Sequence, residues 1–157
     1  MNRSPLPPLK TGWNVSLPNS EWFEWAAHTL ESLDGSHVFV INPIIYTECS
    51  IWYEKIEEIE NLIAILEFDC KEIPRAALFL AGKAFVRYRR RKGTKENVLP
   101  DFFIGAHAAV ENYKLITRDK GRFSTYFPSV ELIMPDHWHQ NDLKRSCAHK
   151  LLFEWCN

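Results

Sequence analysis

An apolar strand that runs directly into a helix cap constrains this chain more than any other feature. Val38-Phe39-Val40-Ile41 is apolar throughout and mostly β-branched, as expected of a strand buried on both faces of a parallel sheet. Asn42-Pro43 follows at once. Asparagine suits the N-cap of a helix, and proline suits its first position because the N–H it lacks is unneeded there. A helix is therefore predicted from Pro43 to about Tyr53.

The remaining segments continue the pattern. Trp22, Phe23, Trp25, Ala26, Leu30 and Leu33 share one helical face, with Ser20 as candidate N-cap and Asp34-Gly35-Ser36 as terminator. Ile56 to Phe68 is amphipathic. Pro74 opens a long helix that ends in basic residues, and Gly93 is read as its stop. Leu99-Pro100 starts a further helix to about Tyr113. Leu115 to Thr117 and Val130 to Ile133 read as short strands, and a weak strand is placed near Val15. After Asp136, one short helix with Leu151, Leu152 and Phe153 is predicted. Helices interleaved with short apolar strands argue for an α/β chain with a parallel sheet covered on both faces.

At 157 residues the chain is one domain's worth, large enough to bury a core without disulfides. Its four cysteines, Cys49, Cys70, Cys147 and Cys156, are scattered, which is the usage of reduced thiols in a cytoplasm. No apolar run approaches a membrane span, and the first ten residues are rich in proline rather than signal-like. The net charge of −1 excludes a global pull towards nucleic acid or anionic lipid, so any such attraction must be local.

Three carboxylates stand out. Glu48 shares a helical face with Ile44, Ile45, Ile51 and Trp52, where an uncompensated charge is expensive; the alternative is a carboxylate at the stripe's edge. Asp101 lies in the first turn of the Leu99-Pro100 helix, where the dipole alone would favour it. Asp119 follows the strand ending at Thr117, beyond which ligands gather in open parallel sheets, although a turn residue ahead of Gly121 is the commoner role. Converging carboxylates repel unless they share a cation, and an all-oxygen cluster suits Mg²⁺ or Mn²⁺. Such an ion orients a phosphodiester and activates water.

Arg87, Arg89, Arg90, Arg91, Lys92 and Lys95 put six cations in nine positions, with Tyr88 among them. The run suits phosphates or an acidic partner, or else complements the C-terminal dipole of its own helix. His137 and His139, and the set Cys147, His149 and Cys156, match no strong metal spacing. His107 is read as a core or near-site histidine.

Four segments, in order, resemble those of VapC-like PIN-domain toxins: Ile41-Asn42-Pro43-Ile44-Ile45-Tyr46-Thr47-Glu48; Leu80 to Phe85 followed by Tyr88-Arg89-Arg90; Leu99-Pro100-Asp101-Phe102-Phe103-Ile104-Gly105-Ala106-His107-Ala108; and Thr117-Arg118-Asp119 with Arg122 and Tyr126-Phe127-Pro128. The resemblance covers roughly residues 22 to 135. It implies a PIN-like α/β/α fold, a central parallel β-sheet of four to five strands flanked by helices, over residues 1–135, with 136–157 as a C-terminal extension. It implies a Mg²⁺- or Mn²⁺-dependent RNA endonuclease, the toxin of a VapBC-like toxin–antitoxin pair, with Glu48, Asp101 and Asp119 as catalytic and metal-holding acids. Asn14, Thr117 and Arg118 would support them. Arg87, Arg89, Arg90, Arg91 and Lys92 would face RNA or the antitoxin, and a cytoplasmic homodimer is expected, with no membrane partner.

The chain departs from the family at its first strand. Gly12, in Gly12-Trp13-Asn14-Val15, stands where the family has an aspartate. Changes one step removed from a metal already cost on the order of 10–100-fold in affinity or activity, and a missing ligand costs at least that. Two activities are therefore expected: an RNA endonuclease impaired by the lost acid, or an inactive domain that binds the antitoxin or RNA.

Overall fold

A computed structural model of the chain describes residues 20–117, 119–135 and 153–156. It divides into two compact units, residues 1–33 and 34–157. The described part of the first unit is helix α1 (Ser20–Leu33), within which the Thr29 hydroxyl donates to the Trp25 carbonyl at 2.8 Å. The strand expected near Val15 lies outside the described residues.

The second unit runs β1 (Val38–Ile41), α2 (Pro43–Ser50), α3 (Ile56–Ile65), β2 (Asp69–Cys70), α4 (Arg75–Arg90), α5 (Pro100–Glu111), β3 (Lys114–Ile116), α6 (Lys120–Tyr126), β4 (Leu132–Ile133) and β5 (Phe153–Cys156). The Asn42 side chain caps α2 as its sequence predicts, with Oδ1 accepting from the backbone N–H of Ile44 at 3.1 Å and of Ile45 at 3.0 Å. Pro43 is the first helical residue. Pro74 opens α4 as expected, as its N-cap.

The expected central parallel sheet of four to five strands is overturned. Among the described residues helices dominate, and parallel pairing is confined to two short two-stranded ladders, Val40–Ile41 on Asp69–Cys70 and Leu115–Ile116 on Leu132–Ile133. Joining them into one parallel sheet would need a parallel strand between β1 and β3. That place is taken by β5, which runs antiparallel to both, giving the order β2-β1-β5-β3-β4. The extended segment Phe153–Cys156 also replaces the end of the helix expected there.

The core is built around α5, whose Phe102, Ile104, Gly105, Ala106, His107 and Ala108 are all buried. Helix α4 packs on it through Ala77, Ala81 and Ala84, small residues spaced to let two backbones approach. Gly93 ends α4 for a steric reason. The left-handed residue is Lys92, at φ 63°, while a Cβ on Gly93 would overlap the Tyr88 ring.

Gly105, in the middle of α5, lets Phe123 of α6 and Phe127 just after it approach closely. A Cβ there would lie 2.6 Å from Phe127 Cε2 and 3.0 Å from Phe123 Cδ1. Gly105→Ala should gain about 1 kcal/mol of helix propensity and lose about 1–3 kcal/mol to overpacking. A net loss of up to about 2 kcal/mol is expected in denaturant unfolding, and a stabilised variant would show that α6 yields without cost.

Candidate active site

Asp101 is the most buried carboxylate among the described residues, only 2% exposed. Its position follows from the chain: Pro100 starts α5, which puts Asp101 in the first turn of a helix buried for most of its length. A carboxylate removed from water needs a compensating charge. Arg122 supplies it, with Nη1 in an ion pair with Asp101 Oδ2.

Arg122 is held in turn by Asp119. The Asp119 side chain caps α6, its Oδ1 accepting from the Arg122 backbone N–H at 3.2 Å, while its Oδ2 lies 3.8 Å from Arg122 Nη1. Thr117, buried after β3, accepts the Asp119 backbone N–H on its hydroxyl at 3.1 Å, and donates its own N–H to the Ile133 carbonyl at 3.1 Å. Two acids far apart in sequence thus meet at one guanidinium. Burial pushes the Arg122 guanidinium below its ordinary value, opposed by the nearby hydroxyls of Tyr88 and Tyr126.

Glu48 lies on α2, which packs against α5. Its Oε2 is buried. Beside it the Cys49 thiol is pushed up to about 11, by burial first and by the Glu48 charge second, so Cys49 is a poor nucleophile at neutral pH. Among the described residues no group of three or more His, Cys, Asp and Glu side chains is placed to hold a metal ion. Of the three predicted acids, Asp101 and Asp119 are linked to each other through Arg122. The pair offers hard carboxylate oxygens, and Mg²⁺ commonly takes only one or two such ligands beside waters and substrate phosphates. The donor chemistry fits a divalent ion, and the cation in contact with it is Arg122.

The basic run lies against the other end of α6. Arg87 Nη2 donates to the Tyr126 carbonyl at 2.8 Å, and the Arg91 guanidinium lies 5.9 Å from the centre of the Tyr126 ring. Arg89 closes its own helix end, donating to the Lys95 carbonyl at 2.9 Å. The Tyr88 hydroxyl accepts the backbone N–H of Thr94 and Lys95 at 3.1 and 3.3 Å, and the Lys95 contact is the largest influence lowering its pKa. Arg90 and Lys92 are exposed. Seven residues at about 1.5 Å each put the end of α6 that meets the basic run about 10 Å from the end that carries Asp119.

His107 is buried, with its Nδ1 3.3 Å from Asn42 Nδ2, which fits the core reading. Gly12, Asn14, Arg118, His137, His139, Cys147 and His149 lie outside the described residues, and of Cys156 only the backbone is described. Arg122 is the residue that sequence reasoning missed as a site member. Its signals in the sequence are its place three residues after Asp119, in the first turn of α6, and its presence in the fourth of the resembling segments.

No family model matches the chain, and neither a curated protein nor a solved structure is significantly similar to it. No helix among the described residues is long and apolar enough to cross a membrane.

Proposed function

We propose that this chain hydrolyses RNA phosphodiester bonds with Mg²⁺ or Mn²⁺ held at Asp101 and Asp119, acting in the cytoplasm as the toxin of a VapBC-like pair. The observation that carries this reading is the meeting of two carboxylates at one cation, with a cationic helix end at the far side of the same short helix. The ordered segments resembling VapC-like toxins support it, and they supply Glu48 as the third acid. When bound, the divalent ion would polarise a phosphoryl oxygen and lower the pKa of water. The chain's own part is to hold that ion through Asp101 and Asp119 and to align the phosphate backbone through Arg90 and Lys92. A small antitoxin would cover the same surface. Exposed Leu78, Phe79 and Val86 on α4 support a homodimer.

A second reading, an inactive domain that binds RNA or the antitoxin, is favoured by the Arg122–Asp101 pair and by Gly12. The test is cleavage of single-stranded RNA by the purified chain in Mn²⁺. Cleavage that stops with EDTA and returns with excess Mn²⁺ is expected. RNA binding without cleavage at millimolar metal would favour the second reading, and neither binding nor cleavage would overturn both.

A further inference from the structure

We propose that Arg122 is a built-in counter-cation that competes with the divalent ion for Asp101 and Asp119, so that the acidic site opens only when the guanidinium swings away. The inference rests on the metal-dependent reading above and adds a control to it. A buried, charged Asp101 needs a compensating cation, and Arg122 is in contact with it. A guanidinium and a divalent ion on the same carboxylate oxygens would repel each other, so the two states exclude one another.

The geometry allows the exchange. The Arg122 side chain is 32% exposed, whereas that of Asp101 is 2% exposed, so the arginine can move into water while the acid stays in place. Its backbone N–H still caps on Asp119 Oδ1 when the side chain leaves, so α6 need not unwind. The side chain leaves towards a rim that already carries cations, Arg87 and Arg91 at Tyr126. A phosphate held at that rim draws Arg122 off the acids, because a guanidinium pairs with phosphate as well as with carboxylate. RNA and metal are then expected to bind cooperatively, each favouring the state with Arg122 displaced.

The test is Mn²⁺ binding by calorimetry to the full chain and to Arg122→Met, with folding followed by circular dichroism. The variant is expected to bind Mn²⁺ about tenfold or more tightly than the wild type, and Mn²⁺ should raise its melting temperature by more. Equal or weaker binding by a folded Arg122→Met overturns the inference, and leaves the metal-dependent reading standing if the wild type binds Mn²⁺. Loss of Mn²⁺ binding at millimolar concentration in both proteins overturns both. Should Arg122→Met fail to fold in Mn²⁺ and in EDTA alike, Arg122→Lys carries the test. Its ammonium lacks the flat two-pronged fit to a carboxylate, so tighter Mn²⁺ binding than the wild type is expected, and unchanged binding overturns the inference.

Discussion

Asp101→Ala is expected to cut metal-dependent RNA cleavage by at least about a hundredfold while leaving the chain folded. The first half follows from the role proposed for the carboxylate, since removing a ligand costs more than disturbing its surroundings. The second half is a contest of magnitudes. Breaking a buried ion pair costs about 3–5 kcal/mol when the surviving charge is trapped away from water. Here the survivor is Arg122, with a third of its side chain exposed, and it can hydrate. Alanine is a strong helix former, and it removes the desolvation of a buried carboxylate. Lost dipole interaction at the start of α5 adds only about 0.3–1 kcal/mol. The net loss should stay within about 2 kcal/mol. Cleavage rates and denaturation midpoints on the same preparations check both halves. Wild-type cleavage would remove Asp101 from the site, and an unfolded variant would show that Arg122 cannot rehydrate where it stands.

The parts of this chain that were legible in its sequence are those set by neighbours along the chain. Asn42 and Pro43 act on the residues that follow them, and the cap forms as read. The helix from Pro100 and the strand Val38–Ile41 are legible for the same reason, since their periodicity or apolar run is their own. The sheet is different. β2 consists of Asp69 and Cys70, which have no strand character and are extended because β1 pairs with them. β5 is a strand because two partners, more than thirty residues away, accept it between them. Nothing local to Phe153–Cys156 says so, and that is why a continuous parallel sheet was expected.

The site divides along the same line. Asp101 and Asp119 could be singled out one at a time, by helix position and by the end of a strand. That they share Arg122 is a tertiary fact. The basic run likewise read as six equivalent cations, whereas packing gives Arg87 and Arg89 carbonyl partners and sets Arg91 over an aromatic ring. All six cations are exposed, but three of them are already engaged within the chain, so the salt dependence of RNA binding should be shallower than six phosphate contacts would give.

The residue that ties these parts together is Phe102, and Phe102→Ala is expected to destabilise the chain by about 3–5 kcal/mol. The side chain is fully buried. Its ring centre lies 6.2 Å from that of Phe85 and 5.7 Å from that of Tyr88 on α4, and 5.2 Å from Tyr126 and 6.3 Å from Phe127 at the end of α6. The cost combines lost transfer energy with a cavity that four neighbouring rings, edge-on or tilted to it, cannot all close. Against a total stability of about 5–15 kcal/mol this is a large share. It should also reach the site, because α6 carries Asp119 and Arg122 at its other end and leans on the same ring cluster through Tyr126. Phe102→Leu, which refills part of the space, should recover about half of the loss. Urea unfolding of the two variants decides the matter. If Phe102→Ala costs less than about 1 kcal/mol, the cluster does not hold α6, and the acid pair must owe its geometry to Thr117 and the Asp119 cap instead.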